Sequence, residues 1–275
     1  MICLYNYHSV VRRYRALLLS PFSAVWASCA GACVLLCLVA CNDSHGPYTP
    51  VARTSRAELS KLAFHEPSKH SAKNYKNLVV LIHGLGDTPQ DFSAHLAELI
   101  AATPARFIAP KGVNAYGSGW GWFAFARPLE APPAAVLTQM RSSTQRLAAL
   151  IRAQRNKSPN AKVIVVGFSQ GGMLSFALAL REPDLVDAVI PIAGWLPNAL
   201  VPPPASLRAR QFPPIRAFHG LADSLVPVVP TKTLIDQLQV YDLDAHMQAY
   251  ASTEHEISPA MIRDIQKQLI QQLSD

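Results

Sequence analysis

The chain has 275 residues, of which 50% are apolar and 16% are charged, and its formal net charge is +7. This composition excludes a disordered or fibrous protein, and the length is enough for one large α/β domain that buries its own core. Three of the 25 basic residues lie in residues 1–40, and the remaining 22 exceed the 18 acidic residues by 4 without forming a basic run. This mild excess argues against a nucleic-acid partner.

The cysteines are confined to the start of the chain, where all five lie within the first 41 residues. A disulfide framework, a thiolate metal site and a cysteine nucleophile are therefore excluded from the folded body. No metal site is expected there.

The first forty residues have the pattern of an export signal. Three arginines at positions 12, 13 and 15 precede an uncharged, largely apolar run from Ala16 to Cys41. The run ends in Leu38-Val39-Ala40-Cys41, which resembles the bacterial lipobox. In that motif the signal is cut before the cysteine, which is then acylated. We therefore predict a signal or membrane segment over residues 1–40 and lipid attachment at Cys41.

An uncleaved transmembrane anchor is the alternative interpretation of this segment, because the run is long enough to span a bilayer. Both interpretations predict a domain in the bacterial cell envelope, outside the cytoplasm and tied to a membrane. Residues 42–77 are polar and contain three prolines, so residues 41–77 are predicted to be the lipid-attachment cysteine and a linker. The folded domain is predicted to occupy residues 78–275.

Strand and helix patterns alternate through the predicted domain. Six short apolar runs predict strands: 78–83, 105–109, 162–166, 186–193, 215–219 and 246–250. Helix-start residues predict a helix that begins at Thr88-Pro89. Helical spacing predicts helices over 137–151 and 261–270, and a further helical run follows residue 172. Continuous β-branched runs are typical of strands buried on both faces of a parallel sheet. The fold class is therefore α/β, with a mostly parallel central sheet and helices on both faces.

A candidate nucleophile follows the third of these strands. Residues 167–172 read Gly-Phe-Ser-Gln-Gly-Gly and precede a helical run. A G-x-S-x-G motif between a strand and a helix is the nucleophile elbow of α/β-hydrolases, in which a sharp turn exposes the serine hydroxyl at a helix N-terminus. Glycines that serve packing alone are the simpler alternative. We predict that Ser169 is the nucleophile.

A serine nucleophile needs a base and a carboxylate that orients the base, and in this fold they follow in the order Ser, Asp or Glu, His. Three histidines follow Ser169, namely His219, His246 and His255. Asp223 and His255 each come after a predicted strand, at the edge where open α/β sheets place their sites. We predict Asp223 and His255 as the partners of Ser169, and His219 and His246 as structural residues.

Two backbone N–H groups are predicted to form an oxyanion hole. One belongs to Gln170, directly after the nucleophile, and the other to Leu85 in the His-Gly-Leu-Gly-Asp loop at residues 83–87. The glycines on either side of Leu85 leave the backbone free to turn its N–H toward the serine. His83 is expected to support this loop.

Together these motifs resemble the phospholipase/carboxylesterase family of α/β-hydrolases, over about residues 78–273. That family includes acyl-protein thioesterases, lysophospholipases and small bacterial carboxylesterases. The resemblance implies a triad of Ser169, Asp223 and His255 and an oxyanion hole formed by Leu85 and Gln170. It implies no cofactor.

A glycine- and tryptophan-rich loop departs from the family pattern. Relatives often have Trp-Phe-Asp there, whereas this chain has Trp122, Phe123 and Ala124. The aromatic side chains of Trp120, Trp122 and Phe123 are predicted either to form an acyl-binding wall near the serine or to pack in the core.

The predicted activity is hydrolysis of a carboxylic ester or thioester through an acyl-enzyme. One alternative is a lysophospholipase that acts on lipids of its own membrane. Another is a catalytically silent, lipid-anchored binding protein. The sequence leaves the acyl chain, the leaving group and the oligomeric state open.

Overall fold

A computed structural model describes residues 62–67, 75–124 and 132–274 of the chain. The predicted signal segment, Cys41 and most of the predicted linker lie outside the described residues. Within the described ranges, none of the helices combines the length and the apolar character needed to cross a bilayer.

A seven-stranded sheet forms the centre of the fold. The strands of the described chain are β1 (Phe64–His65), β2 (Asn77–Ile82), β3 (Arg106–Pro110), β4 (Asn114–Tyr116), β5 (Gly119–Gly121), β6 (Lys162–Phe168), β7 (Ala188–Ile192), β8 (Ile215–Gly220) and β9 (Ala245–Tyr250). The sheet has the order β1-β3-β2-β6-β7-β8-β9, and β4 and β5 form a separate antiparallel pair. Neighbouring strands are parallel except β1, which is antiparallel to β3. The predicted mostly parallel sheet is confirmed.

Helices cover both faces of this sheet. They are α1 (Pro89–His95), α2 (Ala97–Ala102), α3 (Ala134–Arg155), α4 (Gln170–Arg181), α5 (Pro204–Ala209), α6 (Val228–Gln239) and α7 (Pro259–Ser274). Buried residues of α3, α4 and α6 form one apolar cluster with one face of the sheet, and those of α1, α2 and α7 form a second cluster with the other face.

Strand β2 shows why the sheet is buried on both sides. Its side chains alternate between the two clusters, with Leu78, Val80 and Ile82 in the first and Val79 and Leu81 in the second. All five side chains are fully buried. A continuous apolar run is therefore needed, as the sequence pattern indicated.

The predicted boundary between linker and domain is corrected by the first strands. Phe64 and His65 pair with Ala109 and Pro110 at the edge of the sheet, inside the segment that was predicted to be a linker. Strand β2 also begins one residue earlier than predicted, at Asn77. A two-residue strand is too short to show periodicity, which is why the sequence pattern did not reveal it.

Four further elements fall in segments without a predicted helix or strand. The hairpin of β4 and β5 follows β3, the six-residue helix α5 lies in a proline-rich segment, and α6 lies between β8 and β9. The predicted start of α1 is present, since the Thr88 hydroxyl accepts a hydrogen bond from the N–H of Asp91 at 3.0 Å.

Candidate active site

Ser169 lies on a sharp turn between β6 and α4. Its φ is 55° and its ψ is −116°, a conformation that costs a residue with a side chain about 1–3 kcal/mol. Added Cβ atoms at Gly167 and Gly171 would overlap the carbonyl oxygens of Gly171 and Ile82, respectively. Both glycines of the motif are therefore required by the close approach of α4 to the sheet, and the turn holds the serine hydroxyl outside that contact.

Three predicted residues meet at the carboxyl ends of the strands. His255 Nε2 lies 3.0 Å from Ser169 Oγ, and His255 Nδ1 lies 2.7 Å from Asp223 Oδ2. A carboxylate only accepts hydrogen bonds, so Nδ1 carries the proton and Nε2 is free to accept the serine proton. The loops after β6, β8 and β9 each contribute one of these side chains.

Asp223 is held as a buried carboxylate by several donors. Its Oδ1 accepts the N–H groups of Leu225 at 3.0 Å and of Val226 at 2.7 Å. Burial alone would raise the pKa of Asp223, but the hydrogen bonds from His219, His255 and the N–H of Val226 outweigh it and hold that pKa well below its usual value. Asp223 is therefore negatively charged at neutral pH and fixes the orientation of the His255 ring.

His219 and His246 do not face the serine. His219 is fully buried, with Nε2 2.8 Å from the carbonyl oxygen of Val226 and 3.6 Å from Asp223 Oδ2. Its Nδ1 lies 3.0 Å from the hydroxyl of Thr231. His246 is exposed on β9, where its Nε2 lies 3.2 Å from Asp244. His219 thus supports the loop that carries Asp223, whereas His246 lies beside Asp244 on the surface.

The loop that carries Leu85 is fixed by the ring of His83. His83 Nε2 accepts the N–H of Gly112 at 3.1 Å, and Nδ1 donates to the carbonyl oxygen of Gly84 at 2.7 Å. Burial lowers the pKa of His83, which is consistent with a neutral ring that donates through one nitrogen and accepts through the other. Leu85 and Gln170 line the same cavity as Ser169.

The hairpin of β4 and β5 also holds this loop. The N–H of Gly86 donates to the carbonyl oxygen of Trp120 at 2.8 Å, and the N–H of Trp120 donates to the carbonyl oxygen of Asp87 at 2.9 Å. A Cβ at Gly119 would overlap the carbonyl oxygen of Gly86, so this close pairing requires glycine. Two backbone hydrogen bonds therefore hold the Leu85 loop against the hairpin.

The side chain of Gln170 connects the nucleophile turn to the segment that follows the hairpin. Its Oε1 accepts the N–H of Trp122 at 2.9 Å, and its Nε2 donates to the carbonyl oxygen of Phe123 at 2.8 Å. Only the backbone N–H of Gln170 was predicted from the sequence to have a role. A glutamine after the nucleophile carries no local signal of a partner that lies 48 positions away.

The structure separates the three aromatic residues for which a cavity wall and core packing were both predicted. Phe123 lines the cavity in front of Ser169, but Trp120 and Trp122 are not among its lining residues. Trp122 is fully buried, and its indole N–H donates to the carbonyl oxygen of His83 at 3.0 Å. The ring of Trp120 packs against the ammonium group of Lys111. Both tryptophans therefore support the Leu85 loop and do not form the cavity wall.

A cavity of about 500 Å³ opens in front of Ser169 and His255. Within the described part of the chain, its walls are mainly apolar and include Leu85, Phe123, Val136, Met140, Met173 and Trp195. Ala124 also lines the cavity. The apolar walls fit an acyl chain, and the hydrogen-bonded serine and histidine lie where its carbonyl group would sit.

Several wall residues were not predicted from the sequence. Val136 and Met140 lie on α3, where they have the same spacing as the core residues of that helix. Sequence periodicity cannot separate a residue that faces a cavity from one that faces a neighbouring strand. In the residues that the structure describes, no group of three or more histidine, cysteine or acidic side chains is placed to bind a metal ion.

The chain is similar to known proteins. A family model described as phospholipase/carboxylesterase matches residues 67–273. Acyl-protein thioesterase 1 of Mycosarcoma maydis is 27% identical over 210 residues, which cover 67% of this chain and 86% of that protein.

Two crystal structures resemble the fold. The structure of esterase PE8 has a TM-score of 0.62 and 26% identity, and the match covers 72% of this chain and 93% of that one. Acyl-protein thioesterase 2 of Zea mays has a TM-score of 0.62 and 21% identity, and the match covers 78% of this chain and all of that one. At 21% identity, the second likeness concerns the fold alone.

Proposed function

Because this chain belongs to the phospholipase/carboxylesterase family, we propose that it is a serine hydrolase that cleaves carboxylic esters or thioesters through Ser169, His255 and Asp223. The observation that carries the proposal is the hydrogen-bonded series from Ser169 Oγ through the His255 ring to Asp223, at the mouth of an apolar cavity. A packing cluster would not need a strained serine that opens on a cavity.

In the first half-reaction, His255 Nε2 takes the proton of Ser169 while Oγ bonds to the carbonyl carbon. The carbonyl oxygen becomes an oxyanion, which the N–H groups of Leu85 and Gln170 stabilise. The imidazolium, stabilised by the Asp223 carboxylate, then gives its proton to the leaving alcohol or thiol as the carbon–oxygen or carbon–sulfur bond breaks. An acyl group remains on Ser169.

In the second half-reaction, water takes the place of the leaving group. His255 removes one proton from the water as its oxygen bonds to the acyl carbon, and a second oxyanion forms in the same position. The proton then returns from His255 to Ser169 Oγ as the acyl–serine bond breaks. The products are a carboxylic acid and the free serine, so the cycle consumes one water and uses only groups of the chain.

The cavity supports an apolar acyl group as the part of the substrate that is bound. Its volume of about 500 Å³ falls within the usual range for small-molecule sites, and its walls are mainly apolar. The same apolar walls favour a lysophospholipase as a second candidate. The anchor proposed at Cys41 would keep either activity at a membrane, and loss of the Cys41→Ala variant from the membrane fraction would support that anchor.

A fluorophosphonate probe tests the proposal, because it reacts with activated serines. We expect one labelled peptide that contains Ser169, and we expect Ser169→Ala to lose the label and about 10³- to 10⁶-fold in kcat on a p-nitrophenyl ester. Ser252→Ala is the matched control, since Ser252 is an exposed serine in the segment that precedes His255. Undiminished turnover by Ser169→Ala would refute the assignment, and an unlabelled wild type would favour the silent binding protein.

A further inference from the structure

A second groove, of about 280 Å³, lies beside the cavity that contains Ser169. It runs between the segment after β7 and the first turns of α6. Apolar residues form most of its walls: Trp195, Leu196, Pro227, Val229, Pro230 and Leu234. None of these side chains has a part in the reaction described above.

The groove begins at the wall of the catalytic cavity. Trp195 is almost fully buried and lines both spaces, so the groove and the cavity adjoin at this residue. Val226 lines the catalytic cavity, and the next residue, Pro227, lines the groove. The loop that holds Asp223 therefore continues directly from one space into the other.

Exposed apolar side chains are concentrated around this loop. Among the described residues, five large apolar side chains are exposed, and three of them, Leu221, Leu225 and Val229, lie within nine positions of the chain. Val229 is 66% exposed although it lines the groove. An exposed valine contributes little to folding, and clustered exposed apolar groups are typical of surfaces that bind apolar partners.

An ester extends from its reacting carbon in two directions, and the catalytic cavity accommodates the acyl side. We propose that the groove binds the alkyl chain of the leaving alcohol or thiol, with Val229 and Pro227 in contact with that chain. This inference rests on the proposed hydrolase activity and adds a preference on the leaving-group side. The groove has the smaller volume of the two, so it fits a chain of moderate length.

Acetate esters of ethanol, butanol, hexanol and octanol, kept at concentrations where they are monomeric, measure this preference. Each methylene that enters a partly open apolar groove raises kcat/KM about twofold. We therefore expect kcat/KM for the octyl ester to exceed that for the ethyl ester by at least about tenfold, and Val229→Asn to reduce this ratio severalfold. The ratio is taken within each variant, so a partial loss of folded protein does not alter it.

Val240→Asn is the matched control. Val240 is 74% exposed and directly follows α6 at its other end, so it has the same side chain and a similar exposure without a place in the groove. We expect this variant to keep the wild-type ratio.

The outcomes separate this inference from the proposed function. A wild type that hydrolyses none of the esters would refute the hydrolase itself. A wild type that hydrolyses them with the same octyl-to-ethyl ratio as Val229→Asn would overturn the groove as an alkyl site and leave the hydrolase intact. If Val229→Asn impaired hydrolysis only of esters presented in phosphatidylcholine vesicles, the surface would bind lipid aggregates, and the proposed alkyl site would also be overturned.

Discussion

Two buried polar clusters lie at opposite ends of the parallel strands. One consists of Ser169, His255 and Asp223 at the carboxyl ends. The other is centred on Arg106, at the amino end of β3, which is 1% exposed and is bound by Glu66 and by the side-chain oxygen of Gln154. Both clusters bury charge next to an apolar core, which is costly unless every group has a partner.

The clusters differ in where their hydrogen bonds lead. Arg106 uses Nε and Nη2 on Glu66 and Nη1 on Gln154, with the ring of Tyr75 about 5.0 Å from its guanidinium carbon. These bonds join α3 and the residue after β1 to β3, so the partners of Arg106 are other side chains of the protein. The bonds of Asp223 and His255 lead to a strained serine that opens on a cavity. Buried charge at one end therefore stabilises the edge of the sheet, and at the other end it orients a histidine beside a serine that opens on a cavity.

The largest expected effect is that of Asp223→Asn on kcat. The amide would place an N–H group opposite His255 Nδ1, which favours the ring form that cannot accept the Ser169 proton. We expect kcat to fall by about 10³- to 10⁴-fold, measured on a p-nitrophenyl ester. Asp236→Asn is the matched control, because Asp236 is an exposed residue of α6 that pairs with Lys232. A loss of less than about tenfold in Asp223→Asn would contradict a role of Asp223 in the reaction.

Glu66→Gln is expected to change stability and leave catalysis intact. It removes the carboxylate partner of a buried guanidinium, which typically costs several kcal/mol. Because the Glu66 side chain is 34% exposed, we expect a loss of about 2 kcal/mol in the free energy of unfolding, measured by urea denaturation, with unchanged kcat/KM.

Asp184→Asn provides the comparison for that measurement. It breaks the ion pair between Asp184, whose side chain is 87% exposed, and Arg210, whose side chain is 46% exposed. Exposed pairs contribute less than about 1 kcal/mol. Equal destabilisation by the two substitutions would show that the Arg106 cluster contributes no more than a surface pair.

The smallest expected effect is the loss, at low pH, of the contribution that the Asp223 carboxylate makes to the free energy of unfolding. The folded-state pKa of Asp223 lies below its unfolded value of about 3.9, so the ionised carboxylate stabilises the fold above that value. This contribution is lost as the pH falls toward the folded-state pKa, because the unfolded chain binds the proton first.

Urea denaturation of the wild type and Asp223→Asn at a series of pH values measures this contribution. We expect the difference in their free energies of unfolding to be constant between pH 7 and about pH 5, and to change in the direction unfavourable to the wild type below about pH 4.5. A difference that stays constant down to pH 3 would contradict a depressed pKa at Asp223.

Local patterns in the sequence predicted much of the fold. The apolar runs of β2 and β6 are continuous because both faces of these strands are buried, and this requirement is visible in a few consecutive residues. The turn at Ser169 is similar, since the glycines two positions on either side are required by local backbone approach. The proximity of His255 and Asp223 to this serine followed from their order along the chain.

The residues that support the site could not be predicted in the same way. Trp120 and Trp122 have the aromatic character of a cavity wall, but the pairing of the hairpin with the Leu85 loop turns them away from the cavity. Gln170 binds the segment at Trp122 and Phe123 through atoms that lie far apart in sequence.

The sequence by itself determined the succession of strands and helices along the chain, because each element depends on short-range backbone geometry, and it predicted from chain order that Ser169, Asp223 and His255 lie together. Only the tertiary structure decided which side chains line the cavity, that His219 lies behind Asp223, and that a second apolar groove adjoins Trp195. The reason is physical: a side chain of given polarity satisfies several environments equally well, and the packing of distant elements selects one of them.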